Sequence, residues 1–283
     1  MEVPTAPMDS ARQALSRARA RLLSWMQIRT GDRVLDVGCG AAVDTLALGS
    51  MVGLGGRVEG VDFDALKIAA AERAAESMGV SNWVHHSQCD VSRPLPFASR
   101  EFDACCSLRF LEQLPDPPRM LAEMVRVTRP GGWIVALDTD WCTLSIDMPE
   151  NDVERRMVRA KTENSLSSGY SARQMYRNLR HLGLSDIQVE LFPIFFTNAA
   201  AAKKVLGLDR LEKVALDSGL VALNEIERWR IALAQAERSG IFFASVCLLL
   251  AGGRRPSGEK FTSRRGQPHD FQDDWPSPGD EDF

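Results

Sequence analysis

Two glycines and an acidic residue lie close together in the segment RVLDVGCGAAVDT, residues 33–45. An apolar run containing Asp36 comes first, Gly38 and Gly40 follow, and a helix-like pattern comes next. Glycines at such a strand-to-helix turn let the backbone approach a ligand closely, because they carry no Cβ. The segment therefore predicts a turn that binds a small molecule, and the surrounding residue types indicate which molecule.

Three kinds of ligand are compatible with a turn of this shape. A phosphate-binding P-loop requires a lysine after its last glycine, and none follows Gly40. A dinucleotide turn requires a third small residue where this chain has the β-branched Val43. The carboxylate of Asp36 would repel a pyrophosphate but attract an ammonium group. The turn therefore favours S-adenosylmethionine, a nucleoside that carries an amino acid.

Acidic residues also follow the next two predicted strands. Asp62 can accept hydrogen bonds from both hydroxyls of a ribose, and Phe63 can cover an adenine face, although a dinucleotide would use the same pair. Asp90 can accept from the adenine amine while the Val91 N–H donates to the ring. The alternative for Asp90 is a turn cap before Ser92.

The elements that position these residues alternate along the first half of the chain. Short strand–helix units of this kind predict parallel strands and a doubly wound α/β sheet. The predicted strands are 33–37, 57–63, 83–89, 102–108 and 133–139, and a turn at 129–132 follows the predicted helix 117–128. The predicted helices are 11–27, one that follows the first strand and runs through about Met51, 65–78 and 117–128.

The second half of the chain has a looser pattern. Its predicted helices are 150–167, 172–182, 199–218 and 222–239, and its predicted strands are 186–196 and 241–251. We expect one domain over 1–253, with a cofactor-binding half at 28–140 and an acceptor half at 141–253. The Pro-, Gly- and charge-rich segment 254–283 is predicted to be disordered.

Composition narrows the function classes further. The chain has 283 residues, 45% of them hydrophobic, and a formal net charge of −4. An acidic balance gives no electrostatic basis for nucleic-acid binding, and no apolar run reaches membrane-spanning length. The first ten residues lack a secretory signal pattern, so we expect a cytoplasmic protein. The six cysteines form no C-x-x-C pair and are expected to be buried thiols, with Cys39 in the glycine turn the one to watch for reactivity.

The ordered motifs LDVGCG, VDFD, CDV, FDACCS and LPDPPRMLAEMVRVTRPGG resemble those of the class I S-adenosylmethionine-dependent methyltransferases. The resemblance covers residues 28–140 and is nearest the branch of ubiquinone and menaquinone C-methyltransferases. It implies a Rossmann-like, seven-stranded, mostly parallel sheet, with strand seven antiparallel between strands five and six. The N-terminal helix and residues 143–240 would form a helical lid. One departure is GCGAA in place of GCGTG, where Ala41 and Ala42 stay small but lose a hydroxyl contact.

The resemblance implies methyl transfer from S-adenosylmethionine to a small molecule, a secondary metabolite or quinone-like compound methylated on carbon or oxygen. The alternative is the same fold and cofactor recruited to a non-methylating reaction such as a cyclisation or pericyclic step. A non-catalytic scaffold is disfavoured by the intact binding motifs. The predicted cofactor-binding residues are Asp36, Gly38, Cys39, Gly40, Asp62, Phe63, Asp90, Val91 and Leu108.

The methyl acceptor is expected beyond the carboxyl ends of strands four and five, since ligands of open α/β sheets bind at that edge. Arg109 would bind a carboxylate or phenolate of the acceptor, pair with Asp140, or be a surface arginine. A cation after strand four disfavours a metal site, so no metal is predicted. If a general base is used, it would be Asp140 or Glu112; the alternative for Asp140 is a strand-end turn or cap. The sequence leaves a homodimer open.

Overall fold

Seven strands form one sheet in a computed structural model that describes residues 7–257. The strands are β1 (Arg33–Val37), β2 (Arg57–Asp62), β3 (Val84–Gln88), β4 (Phe102–Leu108), β5 (Thr128–Ile146), β6 (Ser185–Phe196) and β7 (Ala244–Arg254). Their order in the sheet is β3-β2-β1-β4-β5-β7-β6. Strand β7 is antiparallel to β5 and β6, whereas β1 to β5 pair in parallel. The predicted doubly wound sheet is confirmed.

Helices flank this sheet on both faces. Those in the described part of the chain are α1 (Pro7–Met26), α2 (Val43–Val52), α3 (Ala65–Ser77), α4 (Pro117–Val127), α5 (Asn151–Ala160), α6 (Ser171–His181), α7 (Ala199–Ala202), α8 (Leu208–Asp217) and α9 (Leu223–Arg238). A short 3₁₀ turn at Leu111–Gln113 follows β4, and π-helical turns lie at Lys161–Ser165 and Lys203–Gly207. None of the described helices is long and apolar enough to cross a membrane.

Local sequence signals account for the crossover helices. Asp64 caps α3 by accepting from the Leu66 N–H at 2.9 Å, and Asp116 caps α4 by accepting from the Arg119 N–H at 3.0 Å. Pro117 occupies the first turn of α4, where its missing N–H costs nothing. These short, capped connections bring the carboxyl ends of β1, β2 and β4 to the same edge of the sheet, where the predicted motifs meet.

Helix α1 packs against the other half of the sheet, chiefly β5 and β6. Its buried face is Ala14, Ala18, Leu22, Trp25 and Met26. This matches the helical spacing expected for residues 11–27, although the helix begins earlier. The N-terminal helix therefore covers the sheet edge beside the acceptor half.

Several elements differ from their predicted bounds. The predicted helix 150–167 is α-helical only to Ala160 and continues as the π-helical turn Lys161–Ser165. Three other differences follow from a pairing or turn that periodicity does not reveal. Strand β5 includes the predicted turn 129–132 because this segment pairs with the residue just after β7. The Gly131 N–H donates to the Arg255 carbonyl at 2.7 Å, and the Arg255 N–H donates to the Gly132 carbonyl at 2.9 Å. Strand β7 begins at Ala244 and not at residue 241. The predicted helix 199–218 is interrupted at Gly207, which has φ +67°.

The predicted tail begins with an ordered anchor. Arg255 is buried, and its Nη1 donates to the carbonyls of Val125, Arg126 and Thr128 at 2.6–2.9 Å. Residues 258–283, on which most of the predicted disorder falls, lie outside the described residues.

Candidate functional site

The glycine turn joins β1 to α2 in backbone conformations that favour glycine. Gly38 has φ +87°, and a Cβ there would come within 2.2 Å of the Phe110 ring. Gly40 has φ +53°, and its N–H donates to Asp62 Oδ2 at 3.0 Å. The turn is thus bonded to the end of β2, which brings two of the predicted motifs into one site.

The departure from the family pattern at Ala42 has a structural cost. Ala42 is fully buried and left-handed, with φ 76°. A non-glycine residue in that region stores about 1–2 kcal/mol of strain, a feature common at ligand sites. Helix α2 starts immediately afterwards at the exposed Val43 with no side-chain cap, so its first N–H groups face the turn without a capping acceptor.

Asp62 holds the second half of this site. Its side chain is buried, and Oδ1 accepts from the Asp64 N–H at 3.0 Å while Oδ2 accepts from Gly40. A carboxylate offers about four acceptor positions, so capacity remains for ribose hydroxyls. Phe63 follows, about 40% exposed, and its ring stacks on Phe110 with centroids 5.7 Å apart.

A pocket of about 320 Å³ opens between these groups. It is lined by Leu15, Arg19, Gly38, Cys39, Gly40, Ala41, Val43, Asp44, Asp62, Lys67, Leu108, Arg109, Phe110 and Gln113. Six of the predicted site residues therefore meet in one cavity: Gly38, Cys39, Gly40, Asp62, Leu108 and Arg109. Arg19 of α1 pairs with Asp44 of α2, with Nε 2.9 Å from Oδ1, and this ion pair holds α1 against the turn.

Asp36 lies beneath the pocket and is not part of its lining. Its carboxyl is almost fully buried, and its Oδ1 accepts a long hydrogen bond from Cys106 Sγ at 3.6 Å. Burial, followed by the negative charges of Asp44 and Asp62, raises the pKa of Asp36 to about 8. A nearby cation would therefore stabilise the ionised form of this carboxyl.

Two further predicted contacts remain predictions. The Asp90 carboxylate accepts from the Ser92 N–H at 2.9 Å and from Ser92 Oγ at 2.6 Å, which lowers the pKa of Asp90. This is the turn cap considered from the sequence, and it competes with a bond to adenine. Val91 packs beside the core under β4. Neither residue lines the pocket.

Cys39 is buried in the turn. Burial and the carboxylate of Asp36 raise the pKa of the Cys39 thiol, which keeps the thiol protonated. Because the thiolate is the reactive form, this environment disfavours the reactivity considered for Cys39.

A second, smaller pocket of about 160 Å³ adjoins the first. Its lining is Ala11, Arg12, Leu15, Arg109, Thr139, Trp141, Ile194, Val205, Leu206, Val246 and Leu248. Leu15 and Arg109 line both pockets. The walls come from α1, β5, β6, β7 and the π-helical turn at Lys203–Gly207, with Arg109 just after β4. That this is the acceptor side remains a prediction. Tyr170, Met175 and Tyr176 of the second half of the chain do not line this pocket, and Met175 belongs to the core.

Arg109 and Asp140 do not pair, so that alternative is wrong. Asp140 is bound instead by Arg173 of α6, with Nη2 3.1 Å from Oδ1. Arg109 has φ +53°, and its N–H donates to the Leu137 carbonyl at 2.6 Å. Within residues 7–257 its guanidinium has no ion-pair partner. The charge at the junction of the two pockets is therefore uncompensated by a direct contact.

Behind this junction lies a buried cluster of charged groups. Glu112 Oε2 accepts from Trp141 Nε1 at 2.7 Å, and Asp138 Oδ2 accepts from the Glu112 N–H at 3.2 Å. Burial raises the pKa of both carboxyls, and the negative charge of Glu112 raises that of Asp138 further. Lys161 lies over the Trp141 ring with Nζ 3.8 Å from its centroid, and burial lowers the pKa of Lys161 to about 8.

Sequence reasoning missed several of these residues. Arg12, Leu15 and Arg19 are three and four positions apart, so they share one face of α1 and line the two pockets. That spacing was readable, but nothing in the sequence indicates that the face lies over a glycine turn. Lys161 carries no sequence signal, since its burial follows from the packing of α5 against β5 and α8.

The strand order, the antiparallel β7 and the acidic glycine turn together define a Rossmann-like methyltransferase fold. Residues 35–136 match a family model described as a methyltransferase domain. Residues 35–136 of the chain therefore form a methyltransferase domain.

Similar proteins extend the comparison. A 37.1 kDa protein in transposon Tn4556 of Streptomyces fradiae is 33% identical over 227 residues, which is 80% of this chain and 64% of that protein. The demethylmenaquinone methyltransferase of Staphylococcus carnosus is 36% identical over 128 residues, which is 45% of this chain and 52% of that enzyme. The matched segments thus span between about half and two thirds of these relatives.

Two solved structures share the fold at low sequence identity. The geranyl diphosphate C-methyltransferase of Streptomyces coelicolor has a TM-score of 0.55 and 17% identity, covering 86% of this chain and 81% of that one. The [4+2]-cyclase SpnF has a TM-score of 0.53 and 20% identity, covering 87% of this chain and 83% of that one.

Proposed function

We propose that the protein transfers a methyl group from S-adenosylmethionine to a small-molecule acceptor, a secondary metabolite or quinone-like compound, on carbon or oxygen. The observation that carries the proposal is the junction at Leu15 and Arg109, where a pocket built on the glycine turn meets an apolar pocket. Methyl transfer needs donor and acceptor in adjoining spaces.

The residues of the first pocket fit the cofactor. Asp62 is available to the ribose hydroxyls and Phe63 to an adenine face. The carboxyl of Asp36 offers a negative charge to the ligand's ammonium group, and the uncapped N–H groups at the start of α2 suit its carboxylate. Asp90 and Val91 would contact the adenine only after Asp90 exchanges its bond to Ser92. When bound, the cofactor supplies an activated methyl group on a sulfonium.

The chain's own contribution to the reaction is position and desolvation. Apolar side chains such as Leu206 and Leu248 exclude water from the acceptor pocket. Glu112 is the candidate proton acceptor, since burial raises its pKa and so strengthens it as a base, and its partner Trp141 lines the pocket. Asp140 is engaged by Arg173 and would act mainly by positioning the end of β5.

A direct assay tests this proposal. The protein is incubated with methyl-labelled S-adenosylmethionine and a panel of phenols, quinols and apolar acids, and mass spectrometry follows label transfer. Labelled product and S-adenosylhomocysteine in equal amounts are the expected result. A panel that gives cofactor binding but no labelled product would favour the recruited, non-methylating alternative, for which the shared fold of the cyclase is the supporting observation.

The remaining features of the proposal concern organisation. The cofactor-binding half at 28–140 and the acceptor half at 141–253 form one domain in the cytoplasm. A homodimer remains a prediction, which light scattering coupled to size-exclusion chromatography tests.

A further inference from the structure

The apolar pocket carries an unusual charge arrangement. Its charged lining residues are Arg12 and Arg109, and no carboxylate lines it within the described residues. The hydroxyl of Thr139 and the indole of Trp141 are its other polar groups, and the Trp141 N–H is already committed to Glu112. Both arginines are exposed, so their charges are hydrated, and a ligand anion seated in the apolar cavity would meet two cations and no anion in its walls.

Neither cation is neutralised by a direct contact in residues 7–257. The carboxyls of Glu112 and Asp138 are the acidic groups that act electrostatically on Arg109, and neither forms an ion pair with it. Both carboxyls accept hydrogen bonds from other groups. The ammonium of Lys161, over the Trp141 ring, adds a further positive charge close by. The fixed groups around the junction therefore leave the Arg109 guanidinium available to a ligand.

The backbone of Arg109 supports a ligand role. Its left-handed φ of +53° is uncommon for a residue with a long side chain, and the 2.6 Å bond to Leu137 holds it at the end of β4. Strain of this kind persists where the surrounding structure maintains it, often at binding sites. This conformation aims the residue at the boundary of both pockets, which it lines.

The sign of the neighbouring charge gives an independent argument. The methyl donor carries a positive sulfonium, so an uncompensated guanidinium at the junction would oppose its binding. An anionic group on the acceptor would pair with the guanidinium and remove that repulsion. A neutral quinone-like acceptor would leave the repulsion in place.

We infer that the acceptor pocket selects an apolar molecule bearing one anionic oxygen group, which Arg109 binds with help from Arg12. The inference rests on the proposed function and adds the acceptor class to it. Carboxylates and phosphates share the chemistry that a guanidinium fork recognises, and the experiment separates them.

The test uses three matched probes on the full chain: 2-naphthoate, 2-naphthyl phosphate and the neutral 2-naphthamide. Calorimetry measures each dissociation constant with and without S-adenosylhomocysteine. The expected result is that at least one anion binds ten-fold or more tightly than the amide. This preference is expected both with and without S-adenosylhomocysteine. Which anion binds better identifies carboxylate or phosphate as the preferred group.

Variants assign the effect to the named residues. Arg109→Asn removes the charge with a residue that tolerates the left-handed region, and it should reduce the preference for anions at least ten-fold. Arg12 is exposed, and Arg12→Gln should reduce the preference for anions severalfold. Arg17→Gln, on the same helix but outside both pockets, is the control and should change nothing.

Equal affinities for anions and amide in the wild-type protein, binding of none of the probes, or an unchanged preference in the Arg109 variant would each overturn the inference. Failure of S-adenosylhomocysteine to bind would instead count against the proposed function, because the probe preference is measured without it as well. Circular dichroism verifies that the variants are folded, and Arg12→Gln supplies a second reading at a solvent-exposed position.

Discussion

Replacing Asp36 by asparagine should stabilise the protein without ligand while weakening its affinity for the cofactor. The carboxyl is buried beneath the glycine turn, and its pKa is raised from 3.8 to about 8. An acid whose pKa is higher in the folded state than in the unfolded state lowers the free energy of unfolding at pH values above the pKa of the unfolded state. The cost grows as the pH rises from about 4 to about 8 and is then constant.

The size of the effect follows from this pKa difference. At pH 7 ionisation of Asp36 lowers the free energy of the unfolded chain, because pH 7 lies above the unperturbed pKa of 3.8. Over the interval from 3.8 to 7, at about 1.36 kcal/mol per pH unit, this amounts to about 4 kcal/mol as an upper bound. Asparagine removes that cost but brings a buried amide whose N–H groups lack an acceptor, a loss of about 1–3 kcal/mol. A net stabilisation of about 1–3 kcal/mol is expected, or roughly 2 °C in Tm for each kcal/mol.

Thermal unfolding of both proteins at several pH values between 5 and 9 measures this effect. The difference in Tm should increase up to about pH 8 and then level. Asp217→Asn, an exposed carboxylate on α8, is the control and should shift stability by less than about 0.5 kcal/mol at any pH. A difference in Tm that is independent of pH, or a destabilised Asp36→Asn protein at pH 8, would refute the reasoning.

Further predictions concern the same site and its supports. Asp62→Ala should weaken S-adenosylhomocysteine binding by about 1–3 kcal/mol in calorimetry, through loss of acceptors for the ribose and the Gly40 N–H; unchanged affinity would remove the ribose assignment. Cofactor binding at pH 7 should release close to one proton from Asp36, visible as a dependence of the binding enthalpy on the buffer that disappears in Asp36→Asn. Arg255→Ala should lower the free energy of unfolding by about 2 kcal/mol in urea, since three carbonyls lose a charged donor, and a change under 0.5 kcal/mol would argue against this anchor. Arg19→Gln should cost less than about 1 kcal/mol in the same assay, because the pair with Asp44 is partly exposed.

The cofactor half was predictable because its signals are local. The glycine turn, the carboxylates after the strands and the caps of α3 and α4 depend on residues close together in sequence. The position of β7 between β5 and β6 and its antiparallel direction came from the family resemblance, and the structure confirms them. Asp90 shows the limit of such reasoning, since a cap and a ligand contact use the same oxygen atoms.

The acceptor half was less predictable because its contacts join distant residues. The partner of Asp140 is Arg173, 33 positions away, and no local pattern selects it over Arg109. Strand β5 extends beyond its apolar run because β7 pairs with it, and the cover over the pocket comes from α1 at the opposite end of the chain. The buried position of Lys161 likewise follows from tertiary packing.

The central claim is that the glycine turn binds S-adenosylmethionine beside an acceptor pocket. Titration calorimetry of the full chain with S-adenosylmethionine, S-adenosylhomocysteine and NAD tests that claim most directly. The account predicts binding of the first two, weakened in Asp62→Ala, and no binding of NAD. Absence of binding by both adenosyl ligands, or saturable binding of NAD at the same site, would contradict it.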